Sequence, residues 1–237
     1  MHVILVPGFW LDSSSWDRVV PVLEEAGHTA EALTLPGLES AEADRSAITL
    51  RDHVDAVIAC IDAHHEPVVL VGHSGGGSII AGAADARPDR VARAIYVDSG
   101  PIGEGGIIND ELPEVDGEIP LPDWELFDDP DLTDLDDELR AEFRARAVPE
   151  PLHVAIDPQH VSDDRRFDVP TTVIASSIPS ALLREFMGKD HPYVRELSKM
   201  HDYEIVDVPT GHWPQFTKPA ELGAAIVTAI DRSAAPS

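Results

Sequence analysis

The sequence is poor in cysteine, in basic residues and in long apolar runs. Its 237 residues include a single cysteine, Cys60, which excludes an internal disulfide and suits a reducing compartment. No apolar stretch approaches the roughly 18 uninterrupted residues that a membrane span requires. The first residues enter a strand-like run without a basic leader, so no secretion signal is expected. These absences predict a cytoplasmic protein.

Positive charge is also scarce. Lysine and arginine together number 17 against 44 aspartates and glutamates, which gives a net charge of −27. Nucleic acids and anionic membranes would be repelled by such a chain, so we expect neither as a partner. The simplest interpretation of the acidity is a well-solvated surface. The sequence leaves the oligomeric state open.

Apolar, strand-like runs alternate with helix-like segments along most of the chain. Strands are predicted at 2–6, 29–35, 68–71, 91–97, 170–175 and 203–208. Between them lie segments with helical spacing, such as the apolar face that follows Thr49 and the closing helix at 219–232. This alternation predicts an α/β protein with a mostly parallel sheet of about six strands and helices on both faces. Ligands bind such sheets at the edge where the strands end.

The alternation stops between residues 100 and 168. This stretch is rich in glycine, proline, aspartate and glutamate, and only 135–147 has a helical pattern. We therefore predict a core domain of residues 1–99 and 169–237, with 100–168 as an inserted lid. The acidic run at 128–137 is interpreted as solvated surface, because nothing in the sequence indicates metal ligands in a preferred geometry. No metal or other cofactor is expected.

One stretch carries a specific chemical signal. Residues 68–77 read VVLVGHSGGG, a strand-like run followed by Gly-x-Ser-x-Gly and a helix of small residues. This pattern is typical of a nucleophile elbow, a sharp strand-to-helix turn that lifts a serine above the sheet. Gly72 and Gly76 are expected to permit the close crossing, and Ser74 to have a strained backbone. Ser74 is the predicted nucleophile, and a purely structural turn is the alternative.

Together with this elbow, the Pro7-Gly8-Phe9 turn and the sequence Gly211-His212-Trp213-Pro214 resemble the α/β-hydrolase family. The resemblance covers nearly the whole chain and is strongest to small esterases and hydroxynitrile lyases. It implies an α/β-hydrolase fold that begins at the family's third strand. It also implies that His212, after the last strand, is the general base for Ser74. His73, inside the elbow, is expected to pack beneath it.

The acid that orients the base is predicted at a displaced position. The usual place, after the strand at 170–175, reads Ala-Ser-Ser-Ile and has no carboxylate, whereas Asp98 follows the neighbouring strand at 91–97. Haloalkane dehalogenases and zearalenone lactonases place their acid there, so the resemblance implies that Asp98 holds Nδ1 of His212. A cap on the following turn is the alternative role of Asp98. The other carboxylates considered are Asp190, Asp202 and Glu104.

The remaining parts of the site follow from the same positions. The backbone amides of Phe9 and Gly75 are predicted to form the oxyanion hole. The substrate pocket is expected between the sheet edge and the lid. Its predicted apolar walls, for each of which core packing is the alternative, are Phe9, Trp10, Trp124, Phe127 and Trp213.

These residues predict a serine hydrolase that cleaves a small, uncharged, fairly apolar carboxylic ester or lactone. A hydroxynitrile lyase is disfavoured, because those enzymes have threonine at the position of Gly8 and lysine at the position of Trp213. Ser74 excludes a haloalkane dehalogenase, which needs an aspartate nucleophile. A catalytically slow ligand-binding or receptor-like protein is the remaining alternative, and repeated turnover distinguishes an enzyme from such a binder.

Overall fold

A computed structural model describes residues 1–233 and contains a six-stranded sheet with helices on both faces. The strands are β1 (His2–Val6), β2 (Thr29–Ala32), β3 (Val68–His73), β4 (Val91–Val97), β5 (Glu118–Ile119), β6 (Glu150–Pro151), β7 (Thr171–Ala175) and β8 (Tyr203–Asp207). The helices are α1 (Val20–Glu25), α2 (Leu50–Ala63), α3 (Gly75–Ala86), α4 (Asp137–Arg146), α5 (Leu152–Ile156), α6 (Ser180–Gly188), α7 (Pro214–Thr217) and α8 (Pro219–Ser233). Within this described part, no helix is long and apolar enough to cross a membrane.

The main sheet has the strand order β2-β1-β3-β4-β7-β8, and every neighbouring pair is parallel. The predicted fold class and the predicted six strands are therefore confirmed. The edge strand β2 ends at Ala32 instead of residue 35, although the Leu33 amide still donates to the Leu5 carbonyl at 2.9 Å. An edge strand has one partner only, so its pairing stops where the chain turns toward Pro36-Gly37.

Two apolar layers cover the two faces of the sheet. In β1, Val3 and Leu5 point to one face while Ile4 and Val6 point to the other, as the two-residue period of a strand requires. The first face packs against α1 and α8, and the second packs against α2 and α3. Thr49 caps α2, because its side chain accepts from the Asp52 amide in a reciprocal capping box.

The segment between β4 and β7 contains little regular structure. It includes the short antiparallel pair β5–β6, the helices α4 and α5, and two short 3-10 turns. The helix predicted over 135–147 is observed as α4. Downstream, the sequence predicts a helical region over 180–200 that is interrupted at Gly188 and Pro192. The structure has α6 ending at Gly188, followed by 3-10 turns at Pro192–Val194 and Leu197–Lys199. Proline at residue 192 lacks the amide that a continuous helix would need.

The crossing of β3 and α3 depends on glycine at position 72. A Cβ placed there would lie 2.5 Å from the carbonyl oxygen of Gly76 and 2.8 Å from the amide of Gly77. Gly72→Ala is therefore expected to lower the free energy of unfolding by about 1–3 kcal/mol, the usual cost of an overpacked core. Urea unfolding measures this loss.

Gly188→Ala is the matched control, because no heavy atom lies within 4 Å of a Cβ at that position. We expect its urea midpoint to stay close to that of the native chain. Equal midpoints for the two alanine variants would show that the crossing tolerates a side chain.

Candidate active site

Three polar side chains meet beyond the carboxyl ends of three strands. Ser74 follows β3, Asp98 follows β4, and His212 lies on the loop after β8. Ser74 has φ +51° and ψ −123°, and Asp98 has φ +45°, so both break sharply out of their strands. The strain expected at Ser74 is present, and it projects this serine from the elbow toward the loop that carries His212.

Hydrogen bonds join these side chains in one line. The Ser74 hydroxyl donates to Nε2 of His212 at 2.8 Å, and Nδ1 of His212 donates to Oδ2 of Asp98 at 2.6 Å. The order serine, imidazole, carboxylate is the one in which a base can take the hydroxyl proton while the acid holds the tautomer. The structure therefore brings together the three residues that the sequence singled out.

Asp98 is held by more than its bond to His212. Its Oδ1 accepts from the amides of Ser176 and Ser177, both at 2.9 Å, and its Oδ2 also accepts from the Ser177 hydroxyl at 2.7 Å. Burial alone would raise the pKa of Asp98, but these donors and His212 outweigh it and hold the pKa below its ordinary value. The carboxylate is thus ionised and fixed in orientation.

The pKa of His212 is raised above its ordinary value. Burial lowers it, but the hydrogen bond and the charge of Asp98, with a further contribution from Asp131, outweigh that effect. The imidazole is therefore a stronger base than a free histidine, which favours proton uptake from Ser74.

His73 lies beneath the elbow, as expected. It is fully buried, its Nε2 donates to the carbonyl of His212 at 2.7 Å, and its Nδ1 accepts from the Gln215 amide at 3.2 Å. Burial, aided by the charge of His212, lowers the pKa of His73 to about 3, so the ring stays neutral. Its position also leaves no room at residue 8, where a Cβ would lie 2.6 Å from Nδ1 of His73.

The two residues whose amides were predicted to form the oxyanion hole are neighbours in space. The ring of Phe9 lies over Gly75 so closely that a Cβ there would be 2.6 Å from Cε1 of Phe9. Gly75 is the first residue of α3, where amides lack an acceptor within the helix. Among the residues that the structure describes, the Phe9 amide has no protein acceptor either.

The loop of His212 is bound to the segment at 131–133. The amide of His212 donates to the Asp131 carbonyl at 2.8 Å, and the amide of Gly211 donates to the Thr133 carbonyl at 3.0 Å. The interpretation of 128–137 as plain solvated surface is therefore wrong for this part of the run. Asp131 also lies near His212 and Asp98, and burial raises the pKa of its carboxyl group.

A cavity of about 970 Å³ opens above Ser74. Four of the aromatic or apolar residues predicted near it line its walls, namely Phe9, Trp10, Phe127 and Trp213. Trp124, by contrast, is not among the lining residues in the described part of the chain, which corrects the expectation. Its ring packs behind the wall, edge-to-face on Trp213 at 5.9 Å and on Phe143 at 5.6 Å.

The alternative acids lie away from His212. Glu104 bonds to His160 and to the Val161 amide, and Asp190 forms an ion pair with Arg195 at 3.8 Å. Asp202 is exposed and contributes its carbonyl to the Thr171 amide. Asp98 is thus the member of this group that contacts the imidazole.

A buried carboxyl group supports the turn that carries Phe9. Glu150 is 1% exposed, and its Oε2 accepts from the Trp10 amide at 3.2 Å, where Trp10 has φ +66°. Its Oε1 faces Nδ1 of His53 at 3.9 Å, and that nitrogen has no hydrogen-bond partner. Burial raises the pKa of Glu150 to about 8 and lowers the pKa of His53 to about 4. Both groups are therefore neutral near pH 7.

Glu150→Gln is expected to raise the melting temperature relative to the native chain, more strongly at pH 8 than at pH 5. Glutamine retains an oxygen for the Trp10 amide. In the native chain Glu150 titrates near 4.5 when unfolded but near 8 when folded, so its contribution to stability is lost as pH rises between these values. Thermal unfolding at both pH values measures the difference.

Glu125→Gln, which changes an exposed glutamate, is the control and should shift the melting temperature equally at both pH values. If Glu150→Gln changed the melting temperature equally at both pH values, the conclusion that Glu150 is neutral in the folded protein would be contradicted.

The sequence did not indicate the groups that hold the residues of this site in position. Glu150, Gln215 and the carbonyls of Asp131 and Thr133 carry no motif, and only the structure assigns them partners. The one available signal was the clustering of prolines at 149, 151 and 158, which marks a constrained loop around Glu150.

A segment of the chain is 33% identical over 100 residues to a carbendazim hydrolyzing esterase of Nocardioides sp. (strain SG-4G), covering 41% of each protein. Another match is 41% identical over 102 residues to esterase PIR7B of Oryza sativa subsp. japonica, covering 40% of this chain and 37% of the relative. The matched region thus spans about two fifths of the length of these curated relatives.

Solved structures match over a greater length. An extracellular alpha/beta-hydrolase from a Paenibacillus species superimposes with a TM-score of 0.76 at 21% identity, covering 97% of this chain and 98% of that one. At this identity the likeness establishes the fold. The model of the alpha/beta hydrolase family matches residues 3–225. The chain belongs to the alpha/beta hydrolase family.

Proposed function

We propose that this protein is a serine hydrolase that cleaves a small, uncharged, fairly apolar carboxylic ester or lactone. The hydrogen-bonded line from Ser74 through His212 to Asp98, at the floor of a large cavity, carries this proposal. The relatives described as esterases support the reaction class.

In the proposed mechanism Ser74 attacks the acyl carbonyl as Nε2 of His212 takes the hydroxyl proton. Asp98 stabilises the imidazolium that forms, and the amides of Phe9 and Gly75 donate to the oxyanion. His212 then gives its proton to the leaving alcohol oxygen, which leaves an acyl-enzyme on Ser74. Water, deprotonated by His212, attacks this ester and releases the acid, and the proton returns to Ser74.

The cavity favours uncharged substrates. Its aromatic walls offer apolar surface, as small-molecule sites usually do. The three cations in its lining are already paired: Arg166 and Lys199 with Glu196, and Arg195 with Asp190. With a net charge of −27 on the chain, little remains to attract an anion.

We assign the role of an inserted lid to residues 100–168. Many of the cavity's lining residues come from this segment, including Pro101, Ile107 and Phe127. A covering segment of this kind would exclude water from the acyl-enzyme step and select the substrate by shape.

Turnover by the native chain tests the proposal. Short-chain aryl esters should be hydrolysed for many cycles per protein molecule, and a fluorophosphonate should inactivate the protein after one equivalent has reacted. Macrocyclic lactones assayed in parallel distinguish an esterase from a lactonase. Release of one equivalent of product without further turnover would favour the ligand-binding alternative.

Hydroxynitrile lyase chemistry is disfavoured by two neighbours of the site. His73 fills the space that a threonine at residue 8 would need. The position after the base is occupied by Trp213, which is 2% exposed and packs edge-on against the imidazole of His212 at 5.1 Å. The residue that follows the base therefore provides no ammonium group that could stabilise a cyanide anion.

A further inference from the structure

Three side chains of kinds that can bind a metal ion lie together at the end of the sheet away from Ser74. His2 opens β1, Glu31 lies in β2, and His64 follows the last residue of α2. Glu31 pairs with Ile4, two residues after His2, so His2 and Glu31 point to the same face. The apolar side of α2 packs on that face through Val57 and Ile61, which brings His64 to the same place.

The ligand atoms of this cluster are close together. Nε2 of His2 lies 3.0 Å from Oε2 of Glu31, and Nε2 of His64 lies 3.4 Å from the same oxygen. All three atoms lie within 4.8 Å of one another, and the imidazole centroids are 3.6 Å apart. Ligand bonds near 2.1 Å in a tetrahedral zinc site separate the ligand atoms by about 3.4 Å. The cluster thus needs little rearrangement to surround an ion.

The surroundings suit a cation that keeps contact with solvent. The side chains of His2, His64 and Glu31 are 20%, 27% and 44% exposed, so an ion can enter and a water can complete its coordination. Cys60 lies on α2, one turn before His64, and its thiol interacts with the Glu31 carboxylate.

We propose that His2, Glu31 and His64 form a site for a divalent transition-metal ion, with Zn²⁺ as the best match and water as the fourth ligand. Two imidazole nitrogens and one carboxylate oxygen are a donor set that zinc accepts readily. Binding requires both imidazoles to carry their proton on Nδ1, so that each Nε2 presents its lone pair. The ion then replaces the two contacts that Glu31 makes with the rings.

The proposed ion would join β1, β2 and α2 without touching the hydrolytic site. Val6 lies at the other end of β1, four residues after His2, which is a distance of about 13 Å along the strand. Zinc should therefore raise the melting temperature of the protein while leaving ester hydrolysis unchanged. This inference does not depend on the proposed function.

Metal titration of the untagged chain tests the site. After treatment with a chelator, the protein should bind one Zn²⁺ per chain in calorimetry, and Co²⁺ should give the visible absorption of a four-coordinate ion. His2→Asn, Glu31→Gln and His64→Asn are each expected to weaken zinc binding by more than about 100-fold. Loss of a direct ligand should reduce metal affinity more than loss of a residue that only hydrogen-bonds to a ligand. Circular dichroism verifies that each variant is folded.

His153→Asn is the matched control. His153 also pairs with a carboxylate, Asp157, at 3.0 Å, but it has no second imidazole beside it. We expect zinc binding to be unchanged in this variant, and to persist in Cys60→Ser because the thiol is not a ligand. Absence of stoichiometric binding, or equal affinity in the native chain and the three ligand variants, would overturn the proposal.

Discussion

Ser74→Ala is expected to lower kcat for ester hydrolysis by about a million-fold and to abolish labelling by a fluorophosphonate. In the proposed mechanism the hydroxyl that donates to Nε2 of His212 is the atom that forms the acyl-enzyme, and alanine offers no replacement. The backbone conformation of the elbow, with φ +51° at this residue, does not depend on the hydroxyl. We therefore expect the variant to fold with unchanged circular dichroism. Steady-state kinetics and intact-protein mass spectrometry measure the two effects.

Ser78→Ala is the control for this experiment. Ser78 lies one turn further along α3 and lines the same cavity, whereas Nε2 of His212 accepts its hydrogen bond from the hydroxyl of Ser74. It should retain both labelling and turnover. Persistent labelling of Ser74→Ala would remove Ser74 from the mechanism and require another nucleophile.

Asp98→Asn is expected to lower kcat by about ten-thousand-fold without loss of the fold. The amides of Ser176 and Ser177 donate to Oδ1, so an asparagine would place its carbonyl oxygen there and turn its amide toward His212. That amide would donate to Nδ1, which forces the imidazole proton onto Nε2. An imidazole in this tautomer cannot accept the proton of Ser74.

The pH profile provides a second measure of the same variant. Asp98 raises the pKa of His212, and the base works only when it is unprotonated. Loss of the carboxylate should therefore move the acidic limb of kcat/KM to lower pH while the plateau falls.

Asp131→Asn is the matched control for Asp98→Asn. Asp131 lies near His212 and also contributes to its raised pKa, but Nδ1 of His212 donates to Asp98 and not to Asp131. A small shift of the acidic limb with nearly normal kcat is expected. Near-normal turnover in Asp98→Asn, or a comparable loss in Asp131→Asn, would contradict the assignment of the acid.

The positions of Ser74, His212 and Asp98 could be predicted because each follows a strand whose apolar run is visible in the sequence. Parallel strands end at one edge, so residues far apart in the chain were expected to meet there. The six strands and the close glycine crossing followed from equally local patterns. Asp98 was preferred to Asp190 and Asp202 because neither of those residues follows a strand, and the family resemblance supported an acid at its position.

The groups that hold the site residues in position could not be predicted from the sequence, for physical reasons. Backbone carbonyls such as that of Asp131 have no side-chain signature, so the run at 128–137 was interpreted from its charge alone. Trp124 belongs to a cluster of aromatic rings, and small differences in packing decide which of these rings line the cavity. Glutamate is usually charged and exposed, but Glu150 is buried and neutral, and its surroundings come from distant parts of the chain.

The bonds from His212 and Gly211 to the carbonyls at 131–133 bear on how substrate preference could be redesigned. Asp131 of that segment lines the cavity, and the segment also holds His212 in position. Replacing this loop would therefore change the substrate selectivity and the catalytic rate together. Most residues of 102–112 also line the cavity, and within the described structure their backbone groups do not bond to the loop of His212. A library confined to 102–112 therefore offers directed evolution a surface whose variation need not abolish the proposed hydrolysis.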